Sequence, residues 1–187
     1  MEEVLKQIVD KISSYNIFTN LYPGILFCYL IKIMFNINVL SENGFENLIL
    51  FYFVGMVLSR IGSVVIEPIM KKIKIKNKAL LQFAHYSDYE KASNDEPLVV
   101  TLSETNNTYR TLLTCFICAL VFKICIIING VCLDIKFTFF QDNKDWFILI
   151  LLIVLFSLAY IKQTSYVRKR VEAIINREEA SKSDSKI

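Results

Sequence analysis

A chain of 187 residues has room for one domain, and its 54% apolar content is gathered into blocks rather than spread. The net charge of +3 comes from basic residues that flank those blocks and are not interleaved with aromatics on a polar face, which argues against direct nucleic-acid binding. The start, Met1-Glu2-Glu3, is acidic and lacks the basic region and cleavage site of a secretory signal, so no cleaved leader is expected.

In chain order, Val4, Leu5, Ile8 and Ile12 form a helical stripe suited to lying on a membrane or packing on a bundle. A first apolar block follows at 17–35 and carries Asn20, Pro23, Gly24 and Lys32. The first three of these are expected to make a turn into the span, with Pro23 in the opening turn of the helix. The second block, 48–69, contains Arg60 and Glu67. The connection 70–111 holds Phe83, His85, Tyr86 and Tyr89, and Pro97 suits the start of a helix leading straight into the third block, 112–128. The fourth block, 146–161, opens on Trp146 and closes on Tyr160 and Lys162, the aromatic and basic anchors of an interface. Neither glycine nor proline falls between Trp146 and Glu179, so this helix is expected to continue as a stalk. Crossing the hydrocarbon takes about 20 apolar residues. The fold class is therefore all-α: a polytopic membrane protein, one domain over 1–187, with four transmembrane helices and helical cytoplasmic extensions.

Lysine and arginine bias sets the orientation. Segments 1–16, 70–111 and 162–187 hold sixteen basic residues, whereas the two intervening connections hold only Lys136 and Lys144. The alternation matches four spans with both termini in the cytoplasm.

Arg60 lies about halfway along the second block, where a charge costs at least ~2.5 kcal/mol. Glu67 follows seven residues later, two α-helical turns on, with Ser63 between them. One reading is a polar stripe of Arg60, Ser63 and Glu67 facing a bundle interior, a pore or a partner subunit. The other is that Glu67 already reaches cytoplasmic water and Arg60 snorkels toward it. Lys123, deep in the third block, is a further candidate for such an interior, while Lys32 reads as a snorkelling residue near a span end. Gly55, Ser59 and Ser63 repeat every four residues with Gly62 alongside, the spacing of a helix-packing face in lipid.

Cys28, Cys115, Cys118 and Cys125 sit in apolar blocks, where a thiol behaves as a small hydrophobe. Cys115 and Cys118 have the spacing of half a zinc site, but His85 is the only histidine and no second pair exists. No metal, cofactor or catalytic residue is expected: the chain contains no HExxH, P-loop, GxSxG or GxGxxG.

The runs Ser14-Tyr15-Asn16-Ile17-Phe18-Thr19-Asn20-Leu21-Tyr22-Pro23-Gly24, Ser59-Arg60-Ile61-Gly62-Ser63 with Glu67-Pro68, and Asn106-Asn107-Thr108-Tyr109-Arg110 resemble a pattern in small bacterial membrane proteins. In size and span count these are similar to membrane components of anti-phage systems, such as the accessory proteins of type VI-B CRISPR loci or the membrane subunit of Kiwa. The resemblance implies a bacterial inner-membrane protein with a role in defence, and it assigns no residue a role. The expected function is a non-enzymatic, homo-oligomeric membrane sensor or pore-type effector. The alternative is a membrane anchor that recruits a cytoplasmic partner enzyme. The expected partners are the lipid bilayer, further copies of the chain and a cytoplasmic protein.

Overall fold

The computed structural model describes residues 14–75, 77–132 and 143–184. The amphipathic stripe of Val4 to Ile12 and the basic residue Lys136 lie outside them. The elements run α1 (Ser14–Asn16), a π-helical segment (Ile17–Leu21), α2 (Tyr22–Phe35), α3 (Gly44–Ile61), a second π-helical segment (Gly62–Ile66) and α4 (Glu67–Lys72). A hairpin of β1 (Lys74–Ile75) and β2 (Lys78–Ala79) follows, then α5 (Tyr86–Asp95), α6 (Pro97–Cys132) and α7 (Asn143–Asp184). Apart from that two-residue pairing the described fold is all-α. Among the described residues, four helices are long and apolar enough to cross a membrane: Ile17–Phe35, Gly44–Lys72, Pro97–Ile128 and Trp146–Ala180.

Asparagines shape the connection between the first two spans. α2 stops at Asn36, which adopts the left-handed region at φ 54°, a conformation its short polar side chain tolerates. Asn43 then caps α3 by accepting from the Phe45 N–H at 3.0 Å. Asn47 secures the loop by donating to the Ser41 carbonyl at 2.8 Å. Along their length the two spans cross on glycine. A Cβ on Gly24 would lie 1.8 Å from the Phe51 carbonyl oxygen, and one on Gly55 would lie 1.7 Å from that of Asn20. Only a residue without a side chain allows backbones that close.

The turn expected at Asn20, Pro23 and Gly24 does not form. The chain stays helical from Ser14 to Phe35, and Pro23 occupies the first turn of α2 after the π-helical segment. Wide i→i+5 turns relieve the constraint that a proline ring and a missing N–H impose on an α-helix, so a break is unnecessary.

The third and fourth spans are parts of much longer rods. At 1.5 Å per residue, α6 is about 54 Å long and α7 about 63 Å, against a hydrocarbon core of about 30 Å. Both therefore continue well past a bilayer at the end that carries the β-hairpin and α5, the stalk end. The opposite end, where α2 meets α3, is the loop end. The continuation of α6 from Pro97 and of α7 as far as Glu179 agrees with the sequence pattern, and α7 runs on to Asp184.

Three apolar clusters run down this axis. Toward the loop end, Leu112, Phe116, Ala119 and Leu149 pack with Leu26 and Leu30 of the first span. In the middle, Ile66, Met70, Leu81, Leu113 and Tyr160 come together. In the stalk, Ala92 of α5 is enclosed with Val99, Val171 and Ile174. Glu96 and Arg170 form an ion pair across this last cluster, and Arg168 donates to the Gln82 side chain. Outside, Phe53, Val57, Ile148, Leu151 and Leu155 are exposed, an apolar belt of the kind that lipid covers.

Candidate functional site

Beside the middle cluster, with which it shares Tyr160, and on toward the stalk, a layer forms in which the four spans exchange polar contacts. α6 supplies most of them. Its threonines first satisfy themselves: Thr111 donates to the Asn107 carbonyl at 2.9 Å and Thr114 to that of Arg110 at 2.8 Å. Such back-bonding hides a hydroxyl inside an apolar helix surface. The remaining groups reach outward. The Thr108 hydroxyl meets that of Thr19 at 3.2 Å, and Asn107 Nδ2 donates to the Tyr15 hydroxyl at 3.2 Å. Toward α7, Thr164 Oγ1 lies 3.0 Å from Asn106 Oδ1, and Gln163 Nε2 donates to the Leu102 carbonyl at 3.0 Å.

An ion pair forms the centre of this layer. Arg110 Nη1 lies 2.7 Å from Glu67 Oε2, and both side chains are largely buried. Tyr160 donates its hydroxyl to the same carboxylate oxygen at 3.2 Å. Lys71, one turn along, lies 2.7 Å from Glu67 Oε1. One carboxylate thus holds the second, third and fourth spans together. Charge-assisted bonds of this kind are roughly twice as strong as neutral ones. Breaking such a pair leaves an uncompensated charge behind.

Each π-helical segment adjoins the layer. The first contains Thr19, and the second runs from Gly62 to the residue before Glu67. A Cβ on Gly62 would lie 2.7 Å from Thr114 Oγ1 and 3.3 Å from Arg110 Cγ. Gly62 is therefore small so that the Arg110 side chain can pass over it. Wide helical turns recur at functional sites because they re-aim side chains, and here the second one presents Glu67 to Arg110.

That re-aiming separates the residues of the expected polar stripe. Arg60 and Glu67 would share a face on a regular α-helix, but five residues of π-helix intervene. Arg60 faces outward and is exposed, while Glu67 turns inward to Arg110. Ser63 donates to the Arg60 carbonyl at 3.0 Å and serves its own helix. Lys123 is 8% exposed and sits over the Trp146 ring at 5.3 Å, toward the loop end and away from Arg60. Lys123 and Arg60 line no common interior. Of the small-residue face, Gly55 packs on the first span and Gly62 on the third, while Ser59 is half-buried between them. The two glycines serve crossings within the chain.

Arg110, Asn106 and Thr164 carry no site role in the sequence analysis, and Tyr160, expected as an aromatic anchor at a membrane interface, is instead fully buried against Glu67. A signal for them existed: Asn106, Arg110 and Thr114 repeat every four residues, as do Tyr160 and Thr164, giving each helix one polar stripe. Among the described residues, no group of three His, Cys, Asp or Glu side chains is placed to hold a metal ion. No protein-family model matches the chain, and no curated protein or solved structure matches it.

Proposed function

We propose that the chain is a non-enzymatic sensor of the bacterial inner membrane, with both termini cytoplasmic, acting as a homo-oligomer in anti-phage defence. The observation that carries this reading is the continuity of α6 and α7 from span to stalk through an ion-paired polar layer. A disturbance of the bilayer or of a neighbouring subunit would alter the crossing of these rods, and the stalk cluster of Ala92, Val99, Val171 and Ile174 would feel it. The basic character of 70–111 and 162–187 supports a cytoplasmic stalk end. Arg60 supports the homo-oligomer: an exposed guanidinium inside a span is costly in lipid, and a second copy covering it would lower that cost. Pore-type action would then run between copies, since the interior of one bundle is filled by its apolar clusters.

The alternative reading, an anchor that recruits a cytoplasmic partner enzyme, draws on the same stalk module and its exposed Tyr86 and Phe83. Reporter fusions at positions 5, 90 and 180 are expected to read cytoplasm, and fusions at 40 and 140 the outside. Position 90 on the outside would overturn the orientation. Plating efficiency of phage on cells carrying the gene with its neighbours, against cells carrying Arg110→Leu, tests the defence role. Equal plating with and without the intact gene would overturn it.

A further inference from the structure

On the stalk side of the polar layer a cavity of about 350 Å³ opens between α6, α7, the end of α4, and α5 with the segment that leads into it. Its walls combine three kinds of group. Phe83, Tyr86 and Tyr89 supply aromatic surface, Lys71 and Arg168 supply positive charge, and Asn106, Ser103 and Thr164 supply hydrogen-bonding capacity. Among the described residues, no carboxylate lines it. The volume falls within the range of small-molecule sites, about 300–1,000 Å³.

The charge arithmetic favours an anion. Glu67 is a single carboxylate shared by Lys71 and Arg110, each at 2.7 Å, with the Tyr160 hydroxyl also bound. Arg110 is the more enclosed partner, 14% exposed against 47% for Lys71. Glu67 therefore balances only one of the two cations, and Lys71, the more exposed of them, stands at the cavity wall with its Nζ also 4.3 Å from the Phe83 ring centre. Arg168 also lines the cavity. It donates Nη1 to Gln82, an uncharged partner, and its Nε lies 3.6 Å from Glu172, a half-exposed carboxylate one turn away. That Nε has no hydrogen bond among the described residues. The hydrogen-bonding groups are also incompletely used. Thr164 has one hydroxyl proton and two acceptors, the Tyr160 carbonyl at 2.8 Å and Asn106 Oδ1 at 3.0 Å. Whichever it serves, the Asn106 amide keeps capacity at the cavity wall.

We infer that this cavity binds an organic phosphate, a phosphate ester whose charged group lies between Lys71 and Arg168 and whose apolar or planar body lies on Phe83 and Tyr86. Guanidinium and ammonium groups suit the phosphate oxygens, and aromatic faces suit a ring or an acyl-glycerol stem. Bound there, the ligand would tie α6, α7 and the segment before α5 into one unit. This deepens the sensor reading by naming its input, and it rests on that reading for the consequence of binding but not for the binding itself. Two sources share the chemistry: a phospholipid headgroup entering from the adjacent leaflet, and a soluble nucleotide-sized phosphate.

The test uses the full chain in nanodiscs. One arm titrates a fluorescent nucleoside monophosphate into phosphatidylcholine discs. The other counts retained phosphatidylglycerol by native mass spectrometry after a graded exchange of disc lipid. Saturable binding in either arm is expected, and the arm that responds names the source. Arg168→Gln and Lys71→Gln should each weaken it at least tenfold. Tyr86→Ala, at a residue 76% exposed and free to change without unfolding the chain, should weaken it several-fold with an unchanged melting temperature. Absence of saturable binding in both arms would overturn the inference, as would binding that all three variants leave intact. A phage-plating defect that persists in a chain unable to bind would separate this failure from that of the sensor reading.

Discussion

Gly55→Ala is the smallest change that tests how the first two spans are held. The added methyl would lie 1.7 Å from the Asn20 carbonyl oxygen and 2.5 Å from its carbon, where ordinary contact begins at 3.4 Å. The obstruction is backbone on backbone, so no side chain can swing aside. The helices must separate by more than an ångström at the crossing, and the dispersion contacts around it weaken together. Overpacking of this kind typically costs 1–3 kcal/mol. A rigid obstacle belongs at the upper end, about 3 kcal/mol. Alanine's better helix propensity opposes this by about 1 kcal/mol, so a net loss of about 2 kcal/mol is expected. Unfolding in mixed micelles of increasing denaturing-detergent fraction, followed by the fluorescence of Trp146, the single tryptophan, measures it. Ser59→Ala, half-buried on the same helix, should stay within about 0.5 kcal/mol of the parent. A Gly55→Ala protein as stable as the parent would refute the intrachain crossing. Unchanged stability with a shifted oligomer distribution would place that crossing between copies instead.

Three other outcomes follow from the polar layer and its surroundings. Arg110→Leu should lower stability by about 2–3 kcal/mol, because Glu67 loses its most enclosed partner and keeps only the half-exposed Lys71 and the Tyr160 hydroxyl. Glu67→Gln combined with Arg110→Leu should recover part of the loss in the same unfolding measurement. Arg60→Leu should leave fold stability unchanged within about 0.5 kcal/mol, since the outward guanidinium serves no crossing; any effect should appear in native mass spectrometry of the oligomer. Charge reversal at either Glu96 or Arg170 should loosen the stalk, and reversal of both should restore it. As a partly exposed pair it should contribute no more than about 1 kcal/mol and fade at high salt, which hydrogen exchange of α5 would follow.

Four spans, their approximate limits and the helical run of the last one were legible because they depend on long averages: blocks of apolar residues, and the lack of any breaker between Trp146 and Glu179. The glycine spacing announced close packing but not its partner, because a small residue says only that something approaches. The polar residues were harder. Arg60 stands out as the charge deepest in a span, and a uniform helix would set Glu67 on its face. The π-helical segment Gly62–Ile66 breaks that uniformity, and nothing in its apolar composition advertises the wider turn. Arg110 was read as the last basic residue of a connection. Its pairing with Glu67, forty-three residues earlier, depends on which helices lie side by side, a property of the bundle rather than of either segment.

A π-helical turn is, in effect, an α-helix with one residue inserted, and this changes what the stretch 62–66 can tolerate. Trading one apolar residue for another beyond Gly62 leaves the Glu67 carboxylate where it is. Closing the turn to α pitch with all five residues in place would swing everything downstream by most of one residue's step of about 100°. Glu67 would then leave Arg110 and Tyr160, although no residue of the layer had been altered. Losing one residue as the turn closes would instead return Glu67 close to its present face. The stretch is permissive in spelling and strict in the width of its turn. The same holds at Ile17–Leu21, where the wide turn before Pro23 keeps Thr19 opposite Thr108.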